Sequence, residues 1–268
     1  ETEKEVVIST SLGIHLKLIS APGESFYPVL IKTSSSLPFY EALPAVGNIP
    51  DSEESYFKNI NLPFIASPYR ENPLLLPKTK ENPNYLQNVI TQDDIKGIIH
   101  CHSNWSDGSN TIEDLANACI NMGMEYLVMS DHSKSAFYAN GLSEDRIKEQ
   151  HLYIDELNKK LAPFKIFKSI ECDILYDGRL DYTETILETF DLVIASVHSN
   201  LKMTEEKAMA RLLQAISNKY TSILGHMTGR LLLSRAGYPV NHKTIIDACA
   251  AHNVVIELNA NPHRLDID

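Results

Sequence analysis

From residue 96 onward, short apolar runs alternate with stretches of helical periodicity, and this alternation limits the fold more than any other feature. The strand candidates are 97–102, 126–131, 166–172, 192–197, 222–224 and 254–259. Between them, 111–122, 143–161, 205–218 and 242–252 carry apolar residues at helical spacing, and 182–190 fits a shorter helix. Several starts are capped: Asn110 and Thr111 ahead of Glu113, Ser143 ahead of Arg146, and Thr204 ahead of Glu205 and Glu206. Strand–helix repetition predicts an α/β fold, a parallel sheet covered by helices and either closed or open.

Residues 1–95 have a different character and hold most of the thirteen prolines. Such density predicts short elements in a small irregular region. Runs 6–10 and 14–20 are expected to pair as a β-hairpin across 11–13, and 51–59 to form a short helix capped by Asp51 or Ser52. The remainder reads as an extended tether. The expected organisation is therefore an N-terminal region 1–95 and an α/β domain 96–268.

Composition narrows the partners. A formal net charge of −11 argues against an extended phosphate-gripping surface, because such surfaces use Lys and Arg to neutralise phosphates. A small basic pocket or a metal cluster remains compatible with it. Four cysteines, Cys101, Cys119, Cys172 and Cys249, fall singly in apolar elements without CxxC spacing, as reduced core thiols of a cytoplasmic protein do. No apolar run reaches membrane-spanning length, so no membrane partner is expected.

The polar residues gather where the strands end. The first strand exits in His100 and His102, within "GIIHCHSNWSDG", and Asp107 follows. The second exits in Asp131 and His132, the third in Glu171, the fourth in His198 and the fifth in His226. In parallel barrels the carboxyl ends of all strands meet at one face, so these side chains are expected to converge. Clustered imidazolium ions would repel, and neutral rings need partners for their nitrogens. Divalent metal ions satisfy both demands, since neutral imidazole and carboxylate are their ligands. His151, His242, His252 and His263 read as capping, solvated or structural residues, and Trp105 as packing over the loop that presents Asp107.

The strings "HCHSNWSDG", "MSDHS", "IECDI", "IASVHSNLKM", "ILGHMTGRLLL" and "IELNANPHRLDID" closely resemble the polymerase-and-histidinol-phosphatase (PHP) domain of bacterial family X DNA polymerases. The upstream "GIHLKLISAPGESF" and "SEESYFKNINLPFIASPYREN" resemble the palm end and thumb-to-PHP connection of that family, which would make 1–95 a degenerate remnant and linker. The resemblance implies a distorted seven-stranded (β/α) barrel, of which six strands are visible here. It also implies two to three divalent metal ions, manganese or zinc, with iron an alternative.

Carried over by motif, His100 and His102 would ligate a first metal with Glu171, which would bridge to a second held by His198 and His226. Asp107 and His132 would hold a third. The family's final strand ends in an Asp-x-His motif that completes the first and third sites. The sequence ends at Asp268 before such a motif, so each of those sites is expected to lack one ligand within these residues. In active polymerases of the family a metal-binding aspartate occupies the position that reads His15 here, with Lys17 two residues on and "TSS" at 33–35. Polymerase activity is therefore not expected of this chain.

The function implied is metal-dependent hydrolysis of DNA phosphate esters, of the 3′-5′ exonuclease or 3′-phosphatase type and connected with DNA repair, by metal-activated hydroxide. Glu171, Asp107 and Arg230 are the expected catalytic residues. Arg230 and Lys134 are the candidates for gripping phosphate, and Asp131 the candidate for orienting a ligand from behind. Two alternatives stand beside it: a phosphatase for small phosphomonoesters of the histidinol-phosphate type, and a noncatalytic, metal-stabilised module.

Overall fold

The computed structural model describes residues 4–10, 15–87 and 89–267. The chain divides into two compact units at Thr91/Gln92.

In the first unit, β1 (Lys4–Ser9) and β2 (His15–Ser20) pair antiparallel, with Lys4 opposite Ser20 and Ser9 opposite His15. The expected turn at 11–13 lies outside the described residues. The tether reading of the rest is corrected by four helices: α1 (Phe26–Thr33), α2 (Leu37–Glu41), α3 (Glu53–Asn59) and α4 (Leu75–Glu81). Pro28, Pro38 and Pro77 all fall in first helical turns. There an amide N–H has no intrahelical partner to lose, so proline is tolerated. Ser52, rather than Asp51, caps α3, in a reciprocal pair with Ser55. Ile31, Phe39, Phe57 and Ile65 are fully buried in a core of this unit's own. Beside them lies buried Arg70, which donates to Ile65 O and Ser34 Oγ and pairs with Glu53 at 2.7 Å.

The second unit is one parallel sheet with six strands in chain order: β3 (Gly97–Cys101), β4 (Tyr126–Met129), β5 (Lys165–Asp173), β6 (Leu192–Ser196), β7 (Thr221–Leu224) and β8 (Val255–Ile256). The connecting helices are α5 (Ile112–Asn121), α6 (Glu144–Lys160), the single turn α7 (Glu184–Leu187), α8 (Glu205–Ile216) and α9 (His242–His252). Sequential strand order with helical crossovers is the winding of a (β/α) barrel. Among the described residues β3 and β8 remain unpaired edges, so six strands stand where the resemblance implied seven. Two core clusters pack helices against the sheet: Ile112 and Ile154 of α5 and α6 against Leu127 and Ile166, and Leu212 and Ile245 of α8 and α9 with Ile170 and Val193.

The expected strand 254–259 shortens to two residues. Asn259 N donates to Asp266 O, and the Glu257 carboxylate accepts from His226 N, so the chain leaves the ladder to serve the strand end beside it.

Candidate metal centre

Glu171 organises the site. It sits near the end of β5, 1% exposed, with its neighbours supplied by the exits of β3, β4, β6 and β7. Oε1 lies 2.9 Å from His100 Nε2, 3.0 Å from His198 Nε2 and 2.8 Å from His226 Nε2. Oε2 lies 3.0 Å from His132 Nδ1 and 3.5 Å from His102 Nε2. Asp107, half exposed at the rim, brings Oδ1 within 3.6 Å of His102 Nδ1 and Oδ2 within 3.6 Å of His132 Nε2. All seven expected metal ligands thus line one cavity of about 730 Å³.

Simple alternation along β3 does not bring His100 and His102 together. The register shifts between Ile98 and Cys101, and His100 takes a left-handed φ of 62°. Such a bulge re-aims a side chain at a strand end, and here it places the two rings 5.5 Å apart. Past the strand, Asp131 ties down the loop. Its carboxylate accepts from Ser103 N (2.8 Å), Ser103 Oγ (2.7 Å), Ser106 Oγ (2.5 Å) and Gln150 Nε2 (2.7 Å). Gly108 closes the same turn, and a Cβ there would meet His102 O at 2.3 Å. Trp105 packs between the two core clusters under this loop.

Two carboxylates at the site were not among the sequence candidates. Glu257 Oε1 lies 2.5 Å from His100 Nδ1, and Asp173 Oδ1 lies 2.8 Å from His198 Nδ1. Asp173 was legible as the second acid of "IECDI", two residues beyond Glu171. Glu257 was legible only as an acid within an otherwise apolar strand.

These contacts test whether a metal fits. With Nδ1–H donated outward to Glu257 or Asp173, the Nε2 lone pairs of His100 and His198 point at an oxygen of Glu171. A cation must separate them, either a proton or a metal ion. When only protons are available, burial disfavours the imidazolium forms. Glu171 together with Glu257 nevertheless raises His100 to about 10, and Glu171 with Asp173 raises His198 to about 9. His132 pays for that crowding: burial, and charge on His102 and His198, push it down to about 4 despite Glu171. Among the described residues, the buried Nδ1 of His226 has no hydrogen-bond partner, and those of His102 and His132 face carboxylate oxygens at 3.6 and 3.0 Å without hydrogen-bond geometry. Three donor groups lie close enough to share an ion: His100–His102–Glu171, His102–Asp107–His132 and His132–Glu171–His198. The donor set is imidazole and carboxylate with fixed tautomers, which suits divalent first-row metals.

The two phosphate-gripping candidates lie elsewhere. Arg230 donates from Nε and Nη2 to the carbonyls of Arg264 and Leu265, and it lines a separate surface hollow. Its guanidinium is used to fasten the 264–265 turn. Lys134 pairs with Glu144 at 3.2 Å over the Tyr182 ring. The arginine that lines the cavity is Arg264, beside Asn261 and Asn259. His242, His252 and His263 are exposed, and His151 packs edge-on against Phe190.

Comparison with known proteins places this geometry. A DNA polymerase/3'-5' exonuclease PolX of Bacillus subtilis is 41% identical over 218 residues, covering 81% of this chain and 37% of that protein. A probable phosphatase of Caldanaerobacter subterraneus subsp. tengcongensis is 26% identical over 158 residues, covering 56% of each. The chain therefore spans little more than a third of the first relative and about half of the second. A solved histidinol phosphate phosphatase from Lactococcus lactis, complexed with zinc, L-histidinol and phosphate, overlaps 60% of this chain and 72% of its own at 18% identity and a TM-score of 0.42. The PHP domain family model matches residues 99–261, from within β3 to beyond β8. That span covers more than half of the chain and every strand end that delivers the cluster, and the chain belongs to the PHP domain family.

Proposed function

We propose that this chain is a metal-dependent phosphoesterase that hydrolyses phosphate esters at DNA 3′ ends, as a 3′-5′ exonuclease or 3′-phosphatase serving DNA repair. The observation that carries the reading is Glu171, one buried carboxylate facing five imidazoles whose other nitrogens are in part fixed by Glu257 and Asp173. The PolX relative supports DNA as the substrate class.

Glu171, His100, His102, His132, His198, His226 and Asp107 would hold two to three divalent ions, with manganese or zinc favoured over iron. When bound, such ions supply Lewis-acid polarisation of a phosphoryl oxygen and acidify water. The chain's own groups do the positioning. Glu257 and Asp173 hold His100 and His198 as Nδ1–H tautomers, and Asp131 fixes the loop between His102 and Asp107. Arg264 lines the cavity, with Nη1 donating to Arg230 O at 3.3 Å, and its other N–H groups would grip a nonbridging phosphate oxygen, stabilising charge that grows as the sugar oxygen departs. Arg264 takes the role first assigned to Arg230, while Lys134 has none at the cavity. Polymerisation is not proposed: His15 is hydrogen-bonded to Ser9 and Lys17 is paired with Glu5, so β2 brings imidazole and ammonium where a metal-binding carboxylate is needed. Four unpaired thiols suit a reducing compartment, and the cytoplasm is the proposed location.

Incubating the chain with manganese and a 5′-labelled single-stranded oligonucleotide, beside Glu171→Ala, tests the reading. A ladder of shortened products in the parent and none in the variant is expected. Intact DNA in both would overturn the exonuclease, and failure to release phosphate from a 3′-phosphorylated oligonucleotide would overturn the 3′-phosphatase. A second reading, a small-phosphomonoester phosphatase, is favoured by the net charge of −11 and by a cavity with a single arginine. Phosphate release from histidinol phosphate without diester cleavage would establish it. Substoichiometric metal with neither activity would instead indicate a structural module.

A further inference from the structure

The loop after β4 runs Ser-Ala-Phe-Tyr-Ala over residues 135–139. Ala136 and Ala139 are buried, whereas Phe137 is 85% and Tyr138 66% exposed, making Phe137 the most exposed aromatic residue among those described. The backbone beneath the rings is pinned. Ser135 N donates to Asp181 Oδ2 at 2.6 Å, Gly141 N to Ala136 O at 3.1 Å, and Asn140 Nδ2 to Trp105 O at 3.1 Å. Gly141 packs so closely that a Cβ would meet Ser133 O at 1.9 Å. The two rings are thus held out in solvent by a fixed turn, and contiguous exposed apolar surface beside a cavity marks a binding site.

The platform adjoins the metal centre. Tyr138 lines the cavity with its ring 6.5 Å from that of His132, and Phe137 stands edge-on to Tyr138 at 6.2 Å. Phe137 itself is outside the cavity lining, so it extends the aromatic surface beyond the reach of a small ester seated on the cluster. The cations of this region are already engaged: Lys134 pairs with Glu144 at 3.2 Å, and Arg146 donates to the carbonyls of Asn140 and Trp105. The chain carries −11, and Arg264 is the one cavity-lining cation besides the histidines among the described residues. Stacking of bases on aromatic rings needs no run of phosphate contacts and tolerates any sequence.

We propose that Phe137 and Tyr138 form a stacking platform for the nucleobases next to the scissile phosphate of a single-stranded 3′ end, and so determine specificity for nucleotides over small esters. The proposal rests on the phosphoesterase reading above, and its test separates the two. The full chain is titrated, with and without manganese, into a single-stranded oligonucleotide carrying 2-aminopurine at its 3′ end, whose fluorescence falls on stacking. Quenching is expected with the parent and with Phe137→Trp, which keeps a ring. With Phe137→Leu, which keeps apolar bulk alone, the apparent Kd should rise about tenfold. Equal quenching by all three, or none by the parent, would overturn the platform. A parent that quenches yet neither shortens the oligonucleotide nor releases phosphate from its 3′-phosphorylated form would instead overturn the hydrolytic reading. Because Phe137 contributes little to the core, circular dichroism of both variants should match the parent.

Discussion

Glu171 presents two oxygens to five imidazoles, and its own carboxyl is held well below the usual range. Burial alone would raise it; His100 and His198 outweigh that burial. The residues that make this arrangement selective for a metal stand behind the rings. Removing the partner of a ligating imidazole frees the ring to turn or to change tautomer, which typically weakens a metal site 10- to 100-fold. Glu257→Ala should therefore lower manganese affinity by about 10- to 100-fold in a calorimetric titration. It should also destabilise the fold by about 1–3 kcal/mol, because His226 N loses its buried acceptor. Undiminished metal affinity would show that Glu257 does not orient His100. At this scale the sequence disclosed the inner residues, since histidine and acid recur at strand exits. It did not disclose Glu257 or single out Arg264 over Arg230, because which side chain turns inward depends on the 257–266 excursion.

Among the elements, the loop from His102 to Gly108 converts a strand end into a rigid mount. Gly108→Ala forces a methyl group against His102 O, 2.3 Å from its ideal position. A loss of about 1–3 kcal/mol in denaturant unfolding is expected, as for other overpacked sites, together with reduced hydrolysis. Unchanged stability would mean that the turn relaxes freely. On α6, burial, and then Lys168, push the His151 imidazole down to about 4. The folded chain favours the neutral ring, while the unfolded chain binds a proton near pH 6.5. This group's contribution to stability is full above about pH 6.5, declines as pH falls, and is gone below about 4. His151→Phe should therefore lose less stability than the parent when urea midpoints are compared at pH 7.5 and 5.0. Parallel losses would contradict the buried neutral ring. Elements of the second unit were legible because caps and periodicity agreed, whereas proline density concealed α1, α2 and α4.

Across the whole molecule, the cost of bringing five imidazoles around one acid falls on the folded state, so an ion that binds there should stabilise the fold. A metal at a hundred times its Kd contributes about 2.7 kcal/mol. Chelation should lower Tm by several degrees, and Glu171→Ala should abolish the difference between chelated and manganese-loaded protein. A Tm indifferent to chelation would argue against a folded-state metal site. The second unit's parallel order was readable because strand–helix alternation admits few other windings. Its open edges were not, since pairing between distant strands leaves no local mark.

By itself, then, the sequence determined the alternating elements and the chemical kind of the site, because periodicity, caps and ligand types are properties of neighbouring residues. Tertiary structure alone decided that Glu171 sits at the focus, that Glu257 and Asp173 fix the rings and that Arg264 lines the cavity. Those facts depend on the bulge at His100 and on contacts between residues up to 157 positions apart, where geometry rather than residue type selects the partner.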